Sequence, residues 1–200
     1  MDKVIKYIVG IDEVGRGPIA GPVAVCAFTI KNDLLLENQK EKKLPKLKDS
    51  KKLSKKQREQ WFLYLHGAKT EGFCDFAVSF VSSLNIDKFG ISKCIQKALN
   101  KSLSDLKLEF KDCFIYLDGG LHAPKEYINQ ETIIKGDEIH PVISMASIMA
   151  KVMRDNVMIN YAKQYPEYGF DEHVGYGTKK HYTAIKNHGQ TPIHRKTFIH

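Results

Sequence analysis

Four carboxylates in this 200-residue chain stand out for where they sit. Asp12 and Glu13 are adjacent, follow the β-branched run from Val4 to Ile11, and lead into Val14 and Gly15. Asp118 closes the apolar run from Cys113 to Leu117 and is followed by Gly119 and Gly120. An acid at the carboxyl end of a strand lies where open α/β sheets place their ligands. Neighbouring residues on a regular strand point to opposite faces, so Asp12 and Glu13 can serve one site only where the strand breaks its pleat. Asp155 is of a different kind. It falls in a long helical pattern, on one face with Lys151 and Ser147, as a polar stripe on an otherwise apolar element. Carboxylates gathered on one site raise each other's pKa unless cations neutralise them. Hard oxygen donors suit Mg²⁺ or Mn²⁺, and two such ions about 3.5 to 4 Å apart are a recurring arrangement for phosphodiester hydrolysis. Spacing alone leaves open the alternative that each acid caps a strand end or pairs with a lysine.

The elements that must position these acids follow from periodicity. Val4 to Ile11 and Val23 to Ile30 are predicted strands, separated by a turn that holds Gly15, Gly17, Pro18, Gly21 and Pro22. Ser54 is a predicted N-cap for a helix through about Leu65. Phe73 to Val81 is predicted to be a strand, Asn85 to Leu106 a helix, and Cys113 to Leu117 and Glu131 to Lys135 strands. Pro141 opens a long helix that stops before Pro166. Strands first, then helices and strands alternating, indicate an α/β fold with a mixed central sheet flanked by helices. Residues 1–165 form the expected catalytic domain, and 166–200 a helical appendage packed on it.

Charge points to the partner. There are 31 Lys and Arg against 23 Asp and Glu, a formal charge of +8. The segment from Lys40 to Arg58 carries ten basic residues and two acidic ones, so it holds the whole excess. A uniformly cationic tail is excluded; one basic segment fits either an anionic partner such as nucleic acid or a solvated lysine-rich loop. The weakly polar run from Ile19 to Ile30 is broken by Gly21 and Pro22 and falls short of the roughly 18 apolar residues of a membrane span. With no secretory pattern after Met1, a cytoplasmic monomer with no membrane partner is expected. The four cysteines lack metal or disulfide spacing and read as buried thiols, and the histidines from His173 to His200 also lack ligand spacing.

Residues 10–23, GIDEVGRGPIAGPV, resemble the N-terminal signature of the bacterial-type ribonuclease HII family. DSKKLS at 49–54, Asp118-Gly119, KGD at 135–137, ASIMAKVMRD at 146–155, GYGT at 175–178, His181 and TPIHRKTF at 191–198 resemble its later blocks in order. The resemblance implies a ribonuclease H-like fold. It implies hydrolysis of the RNA strand of RNA/DNA hybrids and incision 5′ of single ribonucleotides in duplex DNA, leaving 3′-hydroxyl and 5′-phosphate ends. It assigns Asp12, Glu13, Asp118 and Asp155 as catalytic ligands of two Mn²⁺ or Mg²⁺ ions. Gly15, Arg16 and Gly17 resemble the family's ribose-sensing loop, which otherwise reads as a hairpin turn. Tyr176 resembles the tyrosine that packs on the deoxyribose at the junction, and is otherwise a turn residue. Ser50, Lys51 and Lys52 are assigned to phosphates. Lys151 is assigned either to phosphate or to an ion pair with Asp155. The stretch from Lys31 to Lys48 and the triplet from Glu138 to His140 depart from the family pattern, and no clamp-binding tail is expected. The sister family, ribonuclease HIII, would have an extra N-terminal domain and a glutamate in place of Asp155. A non-catalytic binding module built on the basic segment is the alternative from another class.

Overall fold

Five strands form one mixed sheet. The computed structural model describes residues 5–31 and 44–199. Lys40, Lys42 and Lys43 of the basic segment lie outside them. β1 (Tyr7–Val14) pairs antiparallel with β2 (Val23–Lys31), which pairs antiparallel with β3 (Cys74–Val81). On its other side β1 is parallel to β4 (Cys113–Asp118), which is parallel to β5 (Gln130–Ile133). The strand order across the sheet is thus β3-β2-β1-β4-β5.

The helices are α1 (Lys55–Thr70), α2 (Ser83–Phe89), α3 (Ile91–Asp105), α4 (Gly136–Ile139), α5 (Pro141–Gln164), α6 (Phe170–His173) and α7 (Lys179–His188). Alternation along β1 and β2 divides their side chains between two cores. Val9, Ile11, Val23, Val25 and Ala27 face α3, meeting Ile95, Leu99 and Leu103. Val14, Cys26 and Phe28 face α1 and α5, meeting Trp61, Leu65, Val142, Met145 and Met149. Every residue from Val142 to Ala150 is buried, because this half of α5 lies between the sheet and α1. It lies close to β1 because Gly10 has no side chain. A Cβ there would stand 2.3 Å from the Val142 backbone.

Ser54 caps α1 as expected, its hydroxyl accepting from the Gln57 amide while the Gln57 side chain accepts from the Ser54 amide. Two of the differences from the expected boundaries have a clear physical cause. The helix expected from Asn85 to Leu106 is two helices, because Gly90 at φ +80° ends α2 and begins α3. β1 runs through Asp12 and Glu13 to Val14, held by continuous pairing to β2, so the pleat is not broken there. A third cluster unites Ala20 of the β1–β2 loop, Met158 of α5, and Tyr168, Phe170, Ala184 and Ile193. This cluster seats the chain from Pro166 onward against the end of α5. All four cysteines are free thiols. Among the described residues no helix is long and apolar enough to cross a membrane.

Candidate active site

The parallel pairing of β1 with β4 ends at Ile11 opposite Leu117, so Asp12 and Asp118 come next to one another at the carboxyl ends of two neighbouring strands. β5 ends one strand further out, and the chain turns through Lys135, in the left-handed region at φ 55°, into α4. The Gly136 amide donates to Asp118 Oδ1 at 2.7 Å. Glycine at 136 leaves room for this approach, since a Cβ there would lie 2.5 Å from Ile143 Cδ1 and 3.3 Å from Ile133 Cβ. This contact delivers Asp137, and carboxylate oxygens of Asp12, Asp118 and Asp137 all lie within 4.8 Å of one another.

Sequence reasoning did not single out Asp137 as a member of this cluster. The signal available was its place after Gly136, close behind a strand end, the same grammar that marked Asp118. Glu13 lies on the other face of β1, half-buried, with Arg16 Nη1 at 3.3 Å from its Oε1. It remains within electrostatic reach of both Asp12 and Asp118, because the pairing of β1 with β4 stops at Ile11 and leaves the strand end open, so Asp12 and Glu13 adjoin one site without the broken pleat that was expected. Asp155 stands apart. Ser147, whose hydroxyl bonds Asp12, is eight residues back on α5, which puts Asp155 about 12 Å further along the axis. There it pairs with Lys151 at 2.9 Å. The expected gathering of Asp155 with Asp12 and Asp118 is therefore not what the structure contains; Asp137 takes that place.

The DSKK block also differs in detail from expectation. Ser50 is buried, and its hydroxyl bonds that of Ser147 at 2.8 Å, so it supports Asp12 from behind instead of facing solvent. Lys51 and Lys52 are exposed. They reach back to Asp137, at 3.6 Å, and to Glu138.

Burial, followed by the charge of Glu13, pushes the Asp12 carboxyl well above the usual carboxylate range, although the Ser147 hydrogen bond opposes this. Glu13 is also raised, by burial first and then by Asp118 against the pull of Arg16. Asp137 is pushed up to about 6 by burial and by the charges of Asp118 and Asp49. These acids are under-neutralised by the protein, and their donors are hard oxygens in a cluster of divalent-ion size. The donor set fits Mg²⁺ or Mn²⁺.

The turn after β1 reaches the same rim. Gly15 is buried at φ +94°, a conformation that glycine adopts without strain, while Arg16 and Gly17 are exposed. The Tyr176 ring lies 3.9 Å from where a Cβ of Gly17 would stand. Glu13, Arg16, Gly17 and Tyr176 thus form a continuous rim beside the acid cluster.

A family model described as Ribonuclease HII matches residues 9–200. The chain belongs to the ribonuclease HII family. It is 41% identical over 198 residues to a ribonuclease HII of Clostridioides difficile, covering 99% of this chain and 72% of that one. It is 42% identical over 197 residues to a ribonuclease HII of Sulfurihydrogenibium, with coverage of 96% and 90%. The crystal structure of ribonuclease H2 from Pyrococcus horikoshii superposes with a TM-score of 0.70 at 27% identity, covering 96% of this chain and 93% of that one. The fold is ribonuclease H-like, and family membership makes the chain an enzyme, a metal-dependent endonuclease of the ribonuclease class.

Proposed function

We propose that the chain hydrolyses the RNA strand of RNA/DNA hybrids and also nicks duplex DNA 5′ of single embedded ribonucleotides, leaving 3′-hydroxyl and 5′-phosphate ends. The observation that carries this reading is the convergence of Asp12, Asp118 and Asp137 within 4.8 Å, next to a glycine turn and an exposed tyrosine. In this reading the three aspartates hold divalent ions, Mn²⁺ or Mg²⁺ and two in the substrate complex, with Glu13 completing the donor set from the neighbouring face. When bound, such ions supply activation of the attacking water and charge stabilisation of the leaving oxygen. Asp155 acts through Lys151, holding its ammonium toward the phosphate backbone.

The 2′-hydroxyl is the local group that distinguishes RNA from DNA. The turn at Gly15, Arg16 and Gly17 is suited to reading it, because glycine lets main-chain groups approach closely and Arg16 offers a planar fork for phosphate oxygens. Tyr176 supplies an apolar face for the adjoining sugar. Lys51 and Lys52, exposed beside the acids, take backbone phosphates once released from Asp137 and Glu138. Because Tyr176 lies after Pro166 and the glycine turn before it, residues 1–165 and 166–200 act as one functional unit.

The test is a nicking assay on a duplex carrying one ribonucleotide and on a long hybrid, in Mg²⁺ or Mn²⁺. Cutting should stop with chelator and with Asp12→Asn or Asp118→Asn, while duplex binding persists. A chain that cuts neither substrate with either metal would refute the proposal.

A further inference from the structure

Two arginines are wholly buried behind the loop that joins β1 to β2, outside the acid cluster. Arg195 donates from Nη2 to the Gly15 carbonyl at 2.7 Å, from Nη1 to that of Arg16 at 3.2 Å, and from Nε to that of Gly21 at 2.9 Å. Arg154 donates from Nε to the Pro22 carbonyl at 2.9 Å, from Nη2 to that of Ala20 at 3.4 Å, and from Nη1 to that of Val174 at 3.0 Å. Five carbonyls of one eight-residue loop therefore end on these two side chains.

Among the described residues neither arginine has a carboxylate at ion-pair distance. Burying an unpaired charge is costly, and here backbone carbonyl dipoles compensate it. Such an arrangement is not needed to close a hairpin, which glycine and proline do unaided. Its geometric effect is specific. In a planar trans peptide the N–H of one residue points opposite to the carbonyl of the residue before it. With the Gly15 and Arg16 carbonyls drawn inward by Arg195, the N–H groups of Arg16 and Gly17 are turned away from it, and the Tyr176 ring stands beside Gly17. Arg154 meanwhile ties the same loop to Val174, two residues before Tyr176. Its Nε also stands 2.3 Å from where a Gly15 Cβ would be, so the loop and the arginine are fitted to each other.

We propose that Arg154 and Arg195 are positioning residues that set ribonucleotide specificity, by fixing the aim of the Arg16 and Gly17 amides and their spacing from Tyr176. The inference rests on the reading of this loop and Tyr176 as the ribonucleotide-facing surface. Neither arginine touches substrate. Lysine offers a point charge without the fork that holds three carbonyls at once, so Arg195→Lys keeps the charge and loses the clamp.

The experiment measures three quantities in Arg195→Lys and Arg154→Lys: kcat/KM on a one-ribonucleotide duplex, affinity for the same duplex made wholly of DNA, and the Mn²⁺ concentration at half-maximal rate. The expected result is a loss of about tenfold or more in kcat/KM, with the other two quantities within about twofold of wild type. An unchanged kcat/KM overturns the proposal. So does a loss shared by DNA affinity and Mn²⁺ dependence, because that is general structural damage. If Arg195→Lys does not fold, Arg154→Lys decides by the same criteria, and failure of both to fold also overturns it. A wild-type chain that cuts long hybrids but not the one-ribonucleotide duplex refutes the reading of the loop itself, and the inference with it.

Discussion

Replacing Asp137 by asparagine should inactivate the enzyme and make the metal-free protein more stable. Its carboxylate lies within 4.8 Å of those of Asp12 and Asp118. Two unit charges at that separation repel by about 3.5 kcal/mol at an effective dielectric near 20. Lys51, at 3.6 Å but exposed, returns only part of this. The raised pKa of Asp137, about 6, leads to a similar figure: a lift of roughly two units over the unfolded carboxyl is worth about 3 kcal/mol. The sign follows from linkage. A carboxyl that holds its proton more tightly when folded leaves the native state undiminished below about pH 4, destabilises it increasingly from there to about pH 6, and costs a constant amount above that. The Asp137→Asn variant would keep the side-chain shape without the charge, so a gain of about 2 kcal/mol is expected near neutral pH, or roughly 4 to 8 °C in Tm for a chain of this length.

The assay is a thermal melt in chelator near neutral pH, paired with the nicking assay in Mn²⁺. Asp155→Asn is the contrast. It breaks the ion pair with Lys151, whose side chains are 16% and 19% exposed, and should lower stability by about 1 kcal/mol while retaining cutting. A lower melting temperature for Asp137→Asn in chelator, or wild-type cutting by it, would refute the reasoning. So would an Asp155→Asn protein that is fully stable and fully inactive.

Other outcomes follow from single contacts. Gly10→Ala would put a Cβ 2.3 Å from the Val142 backbone and should cost about 3 kcal/mol, read as a fall in Tm; an unchanged Tm would mean that α5 does not lie so close. His181 is held neutral, its pKa lowered to about 4 chiefly by burial. This costs nothing above about pH 6.5 and lowers stability progressively toward pH 4, by up to about 3 kcal/mol, so urea unfolding of His181→Asn should depend less on pH in that window than wild type. Tyr176→Ala should lower kcat/KM at a single ribonucleotide about tenfold while all-DNA affinity holds, and an equal loss in both would remove its proposed role.

The sequence made Asp12 and Asp118 legible because each ends a long apolar run, and the strand ends it implied are neighbours in the sheet. Asp137 was hidden for a physical reason. Its strand, β5, has only four residues, QETI, none of them buried. Its approach depends on pairing with β4 and on a glycine packed against α5, neither of which has a local signature. Asp155 shows the converse. Helical spacing correctly placed it on a face with Lys151 and Ser147, but periodicity reports a face and not a distance along the axis. The resemblance of the DSKKLS block assigns Ser50 to phosphate, yet it turns inward because Ser147 offers its hydroxyl a partner behind Asp12. Arg154 sat in a helical pattern without any mark of burial, since a guanidinium inside a fold is satisfied by carbonyls that only tertiary structure assembles.

The two halves of the site use unpaired charge in opposite ways. In the acid half, buried carboxylates are left without enough protein cations, so the native state holds strain that a bound divalent ion relieves; binding there should stabilise the fold by about 2.7 kcal/mol at a hundred times Kd. In the ribose-facing half, buried cations are left without carboxylates, but a backbone carbonyl meets every guanidinium nitrogen within the protein itself. The first half is incomplete until an ion arrives, whereas the second is finished on folding. That difference suits their tasks. Catalytic charge must respond to the reacting phosphate, while a loop that distinguishes one hydroxyl must already be rigid when substrate meets it. Among the described lysines of the basic segment, Lys51 and Lys52 stand exposed at the edge of the acid half, as long-range attraction to nucleic acid requires of its charges.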